Sequence, residues 1–185
     1  MGWWRWGSLG GWLCALHCAA PPPAAPLAPA AESCKAESAT VTLTAGARAN
    51  ASSSGSGLPV AVRVYQLQRD TRLRSATFDD VWQDDESVLK NDLVAVEEHT
   101  AYPGQTAQFR LALRPEATAI AAVALFRQPQ GNDWFVIFDL RAQNEKPPCP
   151  VTEPEISVWV DRTKIQDGQG HALEASAPAP LNRPE

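Results

Sequence analysis

A run of short segments in which apolar and polar residues alternate, each closed by turn-forming residues, constrains this chain more than any other feature. PVAVRVYQLQ (59–68) is the clearest: Val60, Val62 and Val64 fall on one face, with Arg63 and Tyr65 on the other. Pro59 stands first, where a strand residue need not donate to the ladder. The same period-two pattern occurs in ATVTLTAGAR (39–48), DLVAVEEHTA (92–101), QFRLALR (108–114) and ISVWVDRTKI (156–165). AIAAVALFR (119–127) and the middle of WFVIFDLR (134–141) are apolar on both faces, as a strand covered on both sides must be. Turn signals such as Pro103-Gly104 and Gln130-Gly131-Asn132-Asp133 separate them. The period changes only within 77–89, where Phe78, Val81 and Trp82 fall at helical spacing and Val88 and Leu89 follow. The pattern predicts an all-β chain: a two-sheet β-sandwich of about seven to eight strands with a short helical insertion.

The flanks do not belong to that pattern. Residues 1–20 hold one early charge, Arg5, and an uncharged stretch from Trp6 to Leu16, too short for a spanning helix but suited to a signal peptide. Residues 21–38 form a Pro/Ala-rich spacer, extended and stiff. The sandwich domain is expected over 39–165, and 166–185, which lacks periodicity, as a disordered tail. Export agrees with the cysteines. Cys14 and Cys18 lie in the leader, which leaves Cys34 and Cys149 around the domain, an even number suited to an oxidising compartment. Either these two stay free thiols or they form a disulfide, the expectation adopted here, worth on the order of 4–5 kcal/mol by loop closure.

The net charge of −5 and the pI of about 5.2 exclude a basic nucleic-acid footprint. No catalytic set assembles: GxSxG, P-loop and HExxH patterns are all missing. His99 reads as a solvated side chain at a strand edge, and His171 lies in the tail. Ser52–Ser54 stand in a small-residue loop that would not hold a nucleophile in place. Asp79, Asp80, Asp84, Asp85 and Glu86 lack the spacing of a calcium loop and read as the solvated face of the helix. Trp82, Trp134 and Trp159 read as core residues. The expectation is a protein with no catalytic residues, no metal and no cofactor, acting through exposed loops and sheet edges. Asn50-Ala51-Ser52 matches a glycosylation acceptor formally and is given no role.

In order and spacing these segments resemble the type VI secretion outer-membrane lipoprotein family TssJ. The resemblance rests on the polar loop ending Gly57-Leu58-Pro59, on VAVRVYQL (60–67), on Phe78 with its acidic helix, and on Val88-Leu89 and Asp92-Leu93. Pro103-Gly104, IAAVALFR (120–127) and Asp133-Trp134 complete it, so that it covers about 40–162. It implies a transthyretin-like sandwich, attached to the periplasmic side of the outer membrane, that binds the periplasmic C-terminal domain of TssM in a TssJ–TssL–TssM complex. The family's TssM contact, the loop between the first two strands, corresponds here to Asn50, Ala51, Ser52, Ser53, Ser54, Gly55, Ser56, Gly57 and Leu58. For its lipid-bearing cysteine Cys18 is the candidate adopted, although Leu16-His17 before it departs from the small residues such a site carries. Cys14 after Trp12-Leu13 and Cys34 beyond the proline tract fit no better, and Ala28-Pro29-Ala30 offers the cleavage site of an ordinary secreted protein instead. A periplasmic module of the same fold that binds a small apolar ligand is the alternative; a hydrolase of unrecognised type is weaker.

Overall fold

A computed structural model describes residues 36–140 and 153–169. Two four-stranded sheets are built from β1 (Ser38–Ala45), β2 (Val60–Leu67), β3 (Leu93–Ala101), β4 (Thr106–Ala112), β5 (Ala119–Ala124), β6 (Phe135–Asp139), β7 (Glu155–Asp161) and β8 (Lys164–Asp167). One sheet has the order β4-β1-β7-β8 and the other β3-β2-β5-β6. All neighbours are antiparallel except β1 and β7. This is the sandwich the alternation predicts.

Period-two patterning decides what fills the space between the sheets. Ala39, Val41, Leu43 and Ala45 of β1 and Ile156, Val158 and Val160 of β7 are buried, and their alternates are not. On β2, Val60, Val62 and Val64 are buried on one face. Gln66 continues that face and joins the sheets: its Nε2 donates to the Ala112 carbonyl at 2.8 Å and its Oε1 accepts from the Arg114 amide at 2.7 Å. A buried amide with both ends satisfied is tolerated in an apolar layer and fixes its register. Every residue of β5 is buried, as its apolar run requires, while β6, at the sheet edge, is half-buried.

The helical insertion lies between β2 and β3 as α1 (Thr71–Ser75) and α2 (Phe78–Leu89), followed by a 3-10 turn at Lys90–Asp92. Thr77 caps α2 in a reciprocal box with Asp80. Asp84 breaks the helical backbone at φ −154° and ψ 68°, and its Oδ1 accepts from the Ser87 amide at 3.1 Å, which restarts the turn. Leu73, Val81 and Leu89 are buried, and Phe78 meets Trp134 edge-on at 5.8 Å. The 3-10 turn is held by Asp92, 3 % exposed at its side chain, which pairs with Arg69 at 2.8 Å and Arg72 at 3.3 Å.

Several expectations are corrected. The segment 156–165 is not one strand but a hairpin: Arg162, at φ +50°, turns the chain, and β8 runs to Asp167, two residues beyond the expected domain end. No glycine or asparagine marks that turn, so the sequence pattern ran through it. Of the three tryptophans read as core, only Trp134 is (1 % exposed); Trp82 is 55 % exposed on α2, and Trp159 is half-buried with the outward alternates of β7. The acidic face of α2 is not all solvated either: Asp85 accepts from the Tyr65 hydroxyl at 2.6 Å and from Arg63 at 3.2 Å. His99 does lie on an edge strand, β3, but its ring is not simply solvated: it stacks on Phe109 with centroids 3.6 Å apart, and Nε2 stands 3.5 Å from Glu97.

Asp85 thus links α2 to β2 beside the Arg63 bond to the Val81 carbonyl, and its two charge-assisted bonds set the expected cost of losing it. Asp85→Ala should lower unfolding stability by about 1.5–3 kcal/mol, read as a fall in the urea midpoint at neutral pH. Burial and the Asp85 hydrogen bond hold the Tyr65 phenol well above its ordinary range. The folded state therefore keeps a proton that the unfolded chain releases near pH 10. Stability from this group is complete below that pH and is lost as pH rises above it. Tyr65→Phe should flatten this alkaline decline, measured as midpoint against pH from 9 to 11.

Candidate functional site

Strand directions sort the connections to two ends. At one end lie the β1–β2 loop (46–59), the β3–β4 turn (102–105), the β5–β6 loop (125–134) and the β7–β8 turn (162–163). At the other lie the first described residues, the two points where the helical insertion joins β2 and β3, and the β4–β5 connection, while α2 reaches back to Trp134 of the β5–β6 loop. The residues expected to form a contact loop, Asn50 to Leu58, therefore share their end with three further connections.

The loop is anchored rather than loose. Asn50, only 5 % exposed, adopts φ +51°, a left-handed conformation that asparagine tolerates better than most side chains. Its backbone amide donates to the Arg162 carbonyl at 2.6 Å. The side-chain Nδ2 donates to the Pro59 carbonyl at 2.9 Å, and Oδ1 accepts from the Arg127 amide at 3.0 Å. One residue thus ties the start of the loop to its own end, to the β5–β6 loop and to the β7–β8 turn. Leu58 closes the base by donating its amide to the Ala49 carbonyl at 2.9 Å.

Beyond that base the tip projects. Ser53, Ser54, Gly55 and Ser56 are exposed, while Ala51, Ser52, Gly57 and Leu58 are half-buried. The Ser52 amide donates to Ser56 at 2.8 Å and the Gly55 amide to Ser52 at 2.9 Å, which makes the tip a small closed turn. A side chain at Gly57 would collide with the Ala47 carbonyl and crowd Pro103, so glycine there lets the loop lie against the β3–β4 turn. That turn is bonded to β1 in its own right: Gly104 donates to Ala45 and Ala45 to Gln105, both at 2.9 Å. It carries Tyr102, 51 % exposed and one of the few exposed large apolar side chains.

Sequence reasoning places the loop but misses its construction. It reads Asn50-to-Gly57 as small and polar throughout, whereas Asn50 is the buried fastening point. The available signal was an asparagine directly before a Ser/Gly stretch, the residue type that accepts positive φ. With Asn50 Nδ2 committed to Pro59, the acceptor sequence at Asn50 is closed to modification in the folded protein. The lipidation candidate Cys18 and the disulfide candidates Cys34 and Cys149 lie outside the described residues, as does His171. Among the described residues no group of three or more His, Cys, Asp or Glu is arranged to hold a metal ion, and no helix is long and apolar enough to cross a membrane.

The Asn50 fastening has a measurable cost of removal. Asn50→Gly accepts the backbone conformation but strands the Pro59 and Arg127 groups, and should destabilise by about 1–3 kcal/mol in urea unfolding. Asn50→Asp, nearly identical in shape, should cost at least as much, because it turns an acceptor towards the Pro59 carbonyl.

Residues 37–163 match the family described as type VI secretion lipoprotein, VasD, EvfM, TssJ, VC_A0113. The fold is that of TssJ1 from Pseudomonas aeruginosa, a type VI lipoprotein, at 20 % identity and a TM-score of 0.60, over 71 % of this chain and 94 % of that one. It is also similar to Lip from Serratia marcescens, described as a membrane-bound component of the type VI secretion system, with 21 % identity and a TM-score of 0.62, over 70 % and 96 % of the two chains. A chain in a structure described as the TssM C-terminal domain (869–1107) from EAEC aligns at 22 % identity and a TM-score of 0.56, over 70 % of this chain and 96 % of its own. No curated protein sequence matches significantly.

Proposed function

The chain belongs to the type VI secretion lipoprotein family, and on that premise we propose that it is a non-enzymatic subunit of the secretion membrane complex that docks the periplasmic C-terminal domain of TssM to the outer membrane. The observation that carries the reading is the construction of the β1–β2 loop: an exposed Ser/Gly tip on a base fastened by Asn50. Ordering a loose loop on binding costs roughly 1–2 kcal/mol per residue of backbone entropy, and a loop already closed at its base avoids much of that cost.

Orientation supports the same reading. The described chain begins at residue 36, at the end of the sandwich opposite the loop, and β1, of eight residues, separates the two ends by about 26 Å. With Cys18 acylated, the anchor joins the chain upstream of residue 36, which lies at the end opposite the loop. The partner then arrives from the periplasm, as an inner-membrane protein with a periplasmic domain would, and TssL joins the assembly through TssM. A chain of this fold, aligned over 96 % of its length, occurs in the structure described as the TssM C-terminal domain. That agrees with the pairing.

Calorimetric titration of the exported protein with the periplasmic C-terminal domain of its cognate TssM tests the reading. A variant that keeps Asn50 and Leu58 but replaces 51–57 with a two-residue turn is run beside it. The wild type should bind and the shortened variant should lose at least tenfold in affinity. A folded wild type that does not bind removes the docking function. Anchoring is tested separately: mass spectrometry of the membrane-extracted protein should find a diacylated or triacylated N-terminus at Cys18, and an unmodified N-terminus after Ala30 contradicts it.

A further inference from the structure

The described arginines fall into two groups. Arg63, Arg69, Arg72, Arg74 and Arg110 are each held by a carboxylate: Asp85 with Glu98, Asp92, Asp92, Asp70 and Glu153 respectively. Arg48, Arg114, Arg127 and Arg162 are exposed and make no ion pair among the described residues. Arg114 follows β4 at the other end; Arg48, Arg127 and Arg162 belong to the loop end, and Asn50 gathers them. Its amide is bonded to the Arg162 carbonyl, its Oδ1 to the Arg127 amide, and Arg48 lies two residues before it.

Charge is correspondingly uneven. The four connections at this end carry three arginines against one aspartate, Asp133, a net of +2 in a chain of net −5. Asp133 itself stands 3.8 Å from Lys164. Including Lys164 and Asp161, which flank the β7–β8 turn, leaves the net at +2. Asp161 packs where a side chain at Gly46 would otherwise sit. Among the described residues, three of the four arginines without an ion pair stand around one buried fastening point, and in an acidic protein they present a surface complementary to carboxylates. Arginine suits that task because its fork binds carboxylates through two parallel hydrogen bonds.

We propose that Arg48, Arg127 and Arg162 form a cationic rim around the β1–β2 loop that recognises an acidic surface on the docking partner, steering its approach and setting its orientation. The inference rests on the docking reading above and names the chemistry of that site. An acidic protein surface is favoured over an anionic membrane because this end lies opposite the point where the chain enters the sandwich. Rim charges act mainly on association and its salt dependence, and like charges placed against a partner are strongly unfavourable.

The test uses the full exported protein and the cognate periplasmic domain of TssM. Arg48→Glu, Arg127→Glu and Arg162→Glu should each weaken binding roughly tenfold, chiefly through a slower association rate. The corresponding Arg→Lys variants should retain most of it, and Arg114→Glu, exposed at the other end, should change nothing. The triple Arg→Gln variant, with its urea midpoint checked against wild type, should flatten the decline of affinity between 50 and 300 mM salt. Reversal variants that bind normally, while the shortened-loop protein does not, overturn the cationic rim and leave the docking reading standing. Loss of binding to phosphatidylglycerol vesicles with unchanged TssM binding also overturns it, in favour of a lipid-facing role. A wild type that binds no TssM domain removes both proposals.

Discussion

The hydrogen bonds of Asn50 are the constraint on which the loop end depends. Three connections from different parts of the chain meet at this side chain and its amide: the β1–β2 loop, the β5–β6 loop through Arg127, and the β7–β8 turn through Arg162. Their strands lie in opposite sheets, so the same bonds close the sandwich at this end. A buried amide in this position is valuable only when every polar atom is satisfied, and here both side-chain atoms and the backbone amide are. Serine and glycine at the tip then carry little ordering cost of their own, because the base already fixes where the tip begins and ends.

Gln66 joins the sheets towards the opposite end, and α2 packs on the outer face of β2, where the Val81 carbonyl and Asp85 meet Arg63 and Tyr65, while Phe78 meets Trp134 of the β5–β6 loop. Asp85 and Asp92 hold Arg63, Arg69 and Arg72 in ion pairs, so these arginines are engaged within the fold, unlike those at the loops. Sandwich and helix give stability, and the fastening shapes the surface that we propose meets the partner.

Much of this was legible in the sequence, for physical reasons that can be named. Alternation in VAVRVYQL and ISVWV marks faces directly, because a strand's side chains alternate whatever its neighbours are. The all-buried AIAAVA announced a strand covered on both sides. Failures arose where tertiary contact outweighed local pattern. The turn at Arg162 has no glycine and is stabilised by a bond to Asn50 more than a hundred residues away. Trp82 has core chemistry and helical spacing but is exposed, while Asp85, beyond the break at Asp84, points inward to Tyr65. Asn50 had the composition of a linker and the role of a clamp, a difference set entirely by partners distant in sequence.

The central claim is that the end fastened by Asn50 is the surface that meets TssM. Amide hydrogen exchange of the full exported protein, alone and saturated with the periplasmic domain of TssM, tests it most directly. The account expects protection to be gained in 51–58, 102–105 and 127–133, with α1, α2 and the edge strand β6 unchanged. Protection confined to the helical insertion or to β6, with the loop end exchanging as before, would contradict it.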